Sequence, residues 1–155
     1  MFDWESGLQG AEGGSMRNNY TGLCYASSLR AAGAAATELY DAALAPAGIN
    51  VTQYRLLANL ETLEQANVTH WAERVGVERS TRVRNIKLLE NAGWVELTAG
   101  HGKTYRLTTK GAAVLEAARP LWKQTQQKII ALLGEEDAAA VFRIRDKLQE
   151  AASGL

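Results

Sequence analysis

Residues 69–97, "THWAERVGVERSTRVRNIKLLENAGWVEL", decide the fold of this chain of 155 residues. The first part predicts a short helix ending at Gly76 and the second a longer helix ending at Gly93, because glycine often follows the last turn of a helix. Ile86 and Leu89 are spaced to face a core. After Gly93 the apolar residues recur at every second position, which is typical of a strand. The segment therefore predicts two helices joined by a tight turn, followed by a strand.

A second strand follows, and the tip between the two contains "GHGKT" at residues 100–104. These letters are similar to the end of a phosphate-binding loop. That loop needs a glycine five residues before Gly102, where this chain has Leu97, and a helix after Lys103, where it has the alternating "TYRLT". We therefore interpret "WVELT" and "TYRLT" as a β-hairpin with a glycine-containing tip. Such a hairpin directly after a helix-turn-helix is a wing.

The flanking regions are predicted to be helical, apart from a Gly-rich arm at residues 1–18. One apolar seam precedes Pro46, and a second lies near the C-terminus. We predict helix N-caps at Thr52, at Thr69 and at Thr108 or Thr109. The first seam contains Tyr25, Leu29, Ala32, Ala36, Leu39 and Ala43, and the second contains Val141, Ile144, Leu148 and Ala151.

The predicted fold is mainly α with a small β-hairpin wing. Residues 50–108 form a winged helix-turn-helix DNA-binding domain, and residues 19–46 and 109–153 form dimerisation helices. The two seams carry more apolar surface than one chain of this length is expected to bury, which favours packing against a second copy.

Charge is neutral overall but unevenly distributed. The chain has 17 Lys or Arg and 17 Asp or Glu. Residues 73–110 contain eight Lys or Arg and four Glu, so the remainder is acidic by the same margin.

The N-terminus lacks a secretory apolar segment, no window approaches 18 apolar residues, and Cys24 is the only cysteine. These features predict a cytoplasmic protein. Two histidines and one cysteine are too few for an N/S metal site, and we expect no cofactor.

The second helix of the motif carries side chains suited to DNA. Arginine binds guanine through two hydrogen bonds, and hydroxyls or lysines bind phosphates. The alternative is a solvated helix face, which the adjoining wing makes less favourable. The predicted DNA-binding residues are Arg79, Ser80, Thr81, Arg82, Arg84, Asn85 and Lys87 on this helix, with His101 and Lys103 on the wing.

Three segments resemble the MarR family of winged-helix transcription regulators: "LYDAALAPAGINVTQYRLLANL" (39–60), "ERSTRVRNIKLLENAGWV" (78–95) and "YRLTTKGAAVLEAARPLW" (105–122). The resemblance implies a homodimeric repressor whose recognition helices enter successive major grooves of operator DNA, and an effector that alters their spacing. The chain departs from the family pattern in its short wing without the usual Asp and Arg. It also has Trp71 where leucine is common and Arg82 where an aliphatic residue often packs.

The sequence is compatible with two kinds of regulatory signal, oxidation of a cysteine and binding of a small molecule. "LCYASS" (23–28) resembles the Cys-containing segment of the family's organic-hydroperoxide sensors, but Tyr40 is two residues further from Cys24 than in those sensors, and Ser28 replaces a tyrosine. The alternative for Cys24 is a buried packing role or a place in the wall of a ligand pocket. The other signal is a small aromatic or amphipathic effector, for which Tyr40, Tyr54, Arg55 and Trp122 are candidate contacts or ordinary core residues.

Two other function classes compete with a DNA-binding regulator. A winged helix that binds a protein partner instead of DNA is compatible with the neutral net charge. An enzyme is not favoured, since the sequence contains no recognisable catalytic or nucleotide-binding motif.

Overall fold

The computed structural model describes residues 24–75, 79–98 and 103–155. It contains the helices α1 (Tyr25–Leu44), α2 (Val51–Leu63), α3 (Val68–Val75), α4 (Arg79–Asn91), α5 (Thr109–Leu133) and α6 (Glu135–Ser153), with a 3-10 turn at Ala45–Ala47. The strands are β1 (Ala66–Asn67), β2 (Val95–Leu97) and β3 (Thr104–Leu107). The mainly helical fold with a small wing is confirmed. The chain divides into two units, and the second, Ala36–Leu155, contains everything from the last part of α1 onward.

Two of the predicted N-caps are wrong, and both are replaced by an asparagine. The Asn50 side chain accepts from Gln53 N while the Gln53 side chain accepts from Asn50 N, so this reciprocal pair, and not Thr52, starts α2. Asn67 Oδ1 accepts from His70 N at 2.8 Å, so the cap lies two residues before Thr69. In both cases the asparagine lies just before the helix, where its side chain can reach an unpaired amide.

The sheet has three strands in the order β1-β3-β2, all antiparallel. In the wing, Val95 pairs with Leu107 and Leu97 with Tyr105, which confirms the predicted hairpin. The two-residue strand β1, which pairs with the start of β3, was not predicted. It attaches the wing to the residues that lead into α3.

The core lies between α2, α3, α4, the sheet and the first half of α5. Trp71 is fully buried at its centre, and its Nε1 donates a 2.9 Å hydrogen bond to Leu56 O. The Trp71 ring also packs against Tyr105, with centroids 6.0 Å apart. The unusual Trp71 is therefore a core residue that joins α3 to α2 and to β3. The other buried apolar side chains are Leu44, Ile49, Tyr54, Leu56, Leu57, Leu60, Ala66, Val75, Ile86, Leu89, Val95, Leu115 and Ala118.

Several hydrogen bonds hold the junction between the wing and α5. The predicted cap at Thr108 is confirmed, since its Oγ1 accepts from Gly111 N. The same hydroxyl donates to Gly93 O at 2.7 Å, and Thr108 N donates to Trp94 O at 3.1 Å. Lys110 Nζ also donates to the carbonyl at the end of α4. A Cβ placed on Gly111 would lie 2.8 Å from Trp94 C and closer still to Trp94 O. The first turn of α5 thus lies directly on the backbone that follows α4.

α5 continues without interruption through Pro120 and ends at Gly134, whose φ of 80° is strained for other residues. α6 buries none of its residues in the described chain, and Val141, Phe142, Ile144 and Leu148 are exposed. None of the described helices is both long enough and apolar enough to cross a lipid bilayer.

Candidate nucleic-acid interface

α4, the predicted recognition helix, has a core face and an outer face. Ile86 and Leu89 are buried, whereas Arg84 and Lys87 are exposed. Two residues correspond to about 200° of helix rotation, so the exposed cations lie opposite the buried pair. Asn85 is half-buried. The helix therefore presents positive charge away from the domain core.

The first turn of α4 contains four further predicted DNA contacts. Only their backbone positions are described. They are Arg79, Ser80, Thr81 and Arg82.

The wing presents Lys103 at its exposed end, next to the buried anchor Tyr105. Thr98 N donates to Thr104 O at 2.8 Å, which closes the strand pair before the tip. His101, another predicted contact, lies outside the described residues. Arg106 is not free for DNA, because it forms a 2.8 Å ion pair with Glu96 across the strands. Lys103 is the described cation nearest the wing tip.

The wing and α4 face each other across a cleft of about 690 Å³. Lys87 and Lys103 both line it, together with Thr69 at the start of α3 and with Glu90. The sequence placed the two lysines on separate elements, and the fold brings them to one cleft. Thr69 was predicted only as a cap. Its position beside two lysines at a helix N-terminus, where free amides attract anions, adds it to the candidate phosphate contacts.

Three of the candidate effector residues form an aromatic row. The Trp122 ring stacks on Tyr54 with centroids 5.4 Å apart, and on Tyr40 at 6.5 Å. The Tyr40 hydroxyl donates to Gln126 Oε1. Burial raises the pKa of both tyrosines, although the positive charge of nearby Arg119 opposes this for Tyr54. These residues join α1, α2 and α5 within the second unit.

Beside this row lies a pocket of about 300 Å³ between α2, α3 and α5. Tyr54, Arg55 and Trp122 line it, as does Arg74 on α3. Sequence reasoning missed Arg74 and Asn59, which also line the pocket. Asn59 could have been suspected because it lies one helical turn after Arg55, whereas Arg74 is brought here only by the packing of α3 on α2.

Cys24 is exposed and lies immediately before α1. Hydrogen bonds lower the pKa of its thiol: first from the Ser27 backbone amide, then from the Ser27 hydroxyl and the Ala26 amide. Sequence reasoning looked for a neighbouring cation and missed these unpaired amides at the helix start, which stabilise a thiolate in the same way.

The chain is similar in sequence and in fold to known transcriptional regulators. The chain matches the family model described as HVO_A0261 N-terminal domain over residues 48–128. It is 34% identical to the M. tuberculosis transcriptional regulator MosR, with a TM-score of 0.75, covering 86% of this chain and 98% of MosR. MosR in complex with DNA gives 34% identity and a TM-score of 0.73, over 84% and 97% of the two chains. No curated protein sequence matches the chain.

A mutant MarR from E. coli in complex with operator DNA has the same fold, with a TM-score of 0.72 over 83% of this chain and 96% of MarR. Its identity is 20%, which supports the fold alone. The helix order, the wing and the extensive identity to MosR agree with the sequence resemblance. The chain belongs to the MarR family of winged-helix transcriptional regulators.

Proposed function

We propose that the protein is a homodimeric, sequence-specific DNA-binding regulator of the cytoplasm, a repressor that a small molecule or an oxidative signal releases from its operator. The proposal includes no catalytic activity. The observation that carries it is the cleft between α4 and the wing, where Lys87 and Lys103 lie together and Arg84 is exposed on the same helix. Cations on a helix and on an adjoining hairpin suit a major groove and its flanking phosphates.

The exposed apolar side chains of α6 support the homodimer. A helix that leaves Val141, Phe142 and Leu148 open to solvent is stabilised when a second copy covers them. A dimer would also place two copies of α4 on one DNA duplex, as a pseudo-palindromic operator requires. The proposed dimerisation regions are residues 19–46 and 109–153.

Steep salt dependence is the test of DNA binding. An operator selected from a random DNA pool should bind with an affinity that falls as salt increases, by a log–log slope of about 0.9 for each phosphate contacted. Fluorescence anisotropy across a salt series measures this slope. A selection that enriches no sequence, or a flat salt response, would contradict the proposal and leave the protein-binding winged helix as the better interpretation.

Two alanine variants separate base reading from phosphate binding. Arg84→Ala should weaken binding to the selected operator by about 1–3 kcal/mol and relax the sequence preference of the protein. Lys103→Ala should weaken binding to all DNA sequences alike. It should also reduce the log–log salt slope by about 0.9, the contribution of one phosphate contact. Gln65→Ala, an exposed residue after α2 that lies outside the cleft and outside the proposed dimerisation regions, is the control and should bind like wild type. Equal losses of specificity in the first two variants would refute this division of roles.

The effector site that we propose is the pocket of about 300 Å³ beside Trp122. This volume is at the lower end of the range for ligand sites, which suits a single aromatic ring. Tyr54 and Trp122 offer flat apolar surface, and Arg55 offers a partner for a carboxylate.

The oxidative signal is assigned to Cys24. Its lowered thiol pKa increases the fraction of thiolate, which is the form that peroxides attack. Its exposure in the single chain gives a peroxide access to the sulfur. Cys24→Ser should bind operator DNA like wild type but should no longer be released by an organic hydroperoxide. Release of the serine variant at the wild-type peroxide concentration would show that Cys24 is not the sensor.

A further inference from the structure

A pair of hydrogen bonds that run in opposite directions joins α2 and α3. Arg55 Nη2 on α2 donates to Val75 O at 2.7 Å. Trp71 Nε1 on α3 donates to Leu56 O at 2.9 Å. The two partners on α2 are adjacent, and the two on α3 lie about one helical turn apart. Each helix thus supplies one donor and one acceptor, and we call this pair of bonds the α2–α3 clamp.

The two bonds of the clamp have different surroundings. Trp71 is fully buried, so its bond cannot be separated from the packing of the core. Arg55 is an exposed residue, and no buried apolar side chain is lost when its donor is removed. Its acceptor belongs to Val75, the last residue of α3, where a helix leaves its carbonyl groups without intrahelical partners. The Arg55 bond therefore holds the end of α3 without contributing to the core.

Two attachment points fix the direction of a helix, whereas one point leaves it free to pivot. Trp71 and Val75 lie about 6 Å apart along the axis of α3. With the Trp71 bond alone, a tilt of about 10° would move the end of α3 by about 1 Å. Only three residues separate Val75 from the start of α4 at Arg79. A displacement at the end of α3 is therefore expected to move the first turn of the recognition helix.

Base reading and phosphate binding respond differently to a displacement of this size. A hydrogen bond to a base edge is lost when the distance between donor and acceptor increases from about 2.9 to about 3.9 Å. The attraction between a cation and a phosphate falls by only about a fifth when their separation increases from about 4 to about 5 Å, because it varies as the inverse of the distance. A shift of α4 should therefore weaken operator binding far more than binding to unrelated DNA.

Resting on the proposed function, we infer that Arg55 is a positioning residue for sequence recognition by α4. It acts through Val75 O, which it holds in place, and not through its own contact with DNA. What it contributes is the donated hydrogen bond that fixes the end of α3. Its positive charge is not the reason for its effect on recognition.

The ratio of operator affinity to the affinity for a scrambled duplex of the same length tests this role. Arg55→Met removes the donor and keeps a long side chain. It should weaken operator binding about tenfold, the loss expected for about one good base contact, and change binding to the scrambled duplex by less than about twofold. Fluorescence anisotropy measures both affinities. An equal loss on the two duplexes, or no loss on either, would overturn the inference.

Two further variants separate the hydrogen bond from the charge and from the fold. Arg55→Lys keeps the positive charge and one donor, so it should recover most of the wild-type ratio. A ratio as low as that of Arg55→Met would refute the role of the bond. Gln65→Ala, exposed after α2, is the control and should keep both affinities. The urea midpoint of Arg55→Met should stay close to that of wild type, and a large decrease would mean that Arg55 supports the fold instead of positioning α4.

Hydrogen exchange of the full chain without DNA tests the step at α3 directly. In Arg55→Met the amides in the last turn of α3 should exchange several-fold faster, while those of α5 keep their wild-type rates. Unchanged exchange at the end of α3 would overturn the inference. A wild-type chain that selects no operator would refute the proposed function, and exchange would still show whether Arg55 fixes α3. A chain that reads its operator equally well with Arg55→Met would keep the proposed function and refute the inference.

Discussion

Gly111→Ala is expected to lower the free energy of unfolding by about 3 kcal/mol, the upper part of the range for overpacking. The new Cβ would lie 2.8 Å from Trp94 C and even closer to Trp94 O, and both are backbone atoms. They cannot turn aside as a flexible side chain could, and Thr108 N holds Trp94 O in place. Urea denaturation at a fixed protein concentration measures the change.

Gly154→Ala is the matched control. Its added Cβ meets nothing closer than Ala151 O at 3.7 Å, an ordinary contact. The control should stay within about 0.5 kcal/mol of wild type. A Gly111→Ala protein as stable as the control would mean that α5 can move away from Trp94 at little cost.

Trp71→Ala is expected to destabilise the fold by about 3–5 kcal/mol, because it empties a large volume of the core. The lost side chain is fully buried and contacts Tyr105 of the sheet. The substitution also removes the hydrogen bond from Trp71 Nε1 to Leu56 O. Urea denaturation should show a lower midpoint and, if the core stays otherwise intact, a similar m-value.

Leu97→Ala is the control for Trp71. It also removes a large apolar side chain, but Leu97 is about half exposed, so its loss should cost less than about 1 kcal/mol. Similar costs for the two variants would contradict the central position of Trp71.

Much of the fold could be predicted because period and spacing are local properties of the sequence. The spacing of Ile86 and Leu89 predicted the buried face of α4, and alternation predicted the two strands of the wing. The caps at Asn50 and Asn67 were missed because a threonine close by satisfies the same rule. Strand β1 was missed because two residues cannot display a period.

The candidate site was less predictable, because its residues act through contacts between elements. The basic α4 and Lys103 are visible in the sequence, but their shared cleft with Thr69 is not. Arg55 was proposed as an effector contact, whereas its bond to Val75 O depends on how α3 packs on α2.

The bonded junction around Thr108 also determines where the molecule can bend. Three hydrogen bonds tie residues 108–110 to the backbone at 92–94, and Gly111 allows no space between them. Local opening is expected to be rare where backbone groups are paired and packed this closely. The first turn of α5 and the last turn of α4 are therefore expected to move together as one rigid body. A tilt at the base of α5 is therefore expected to move the end of α4 with it.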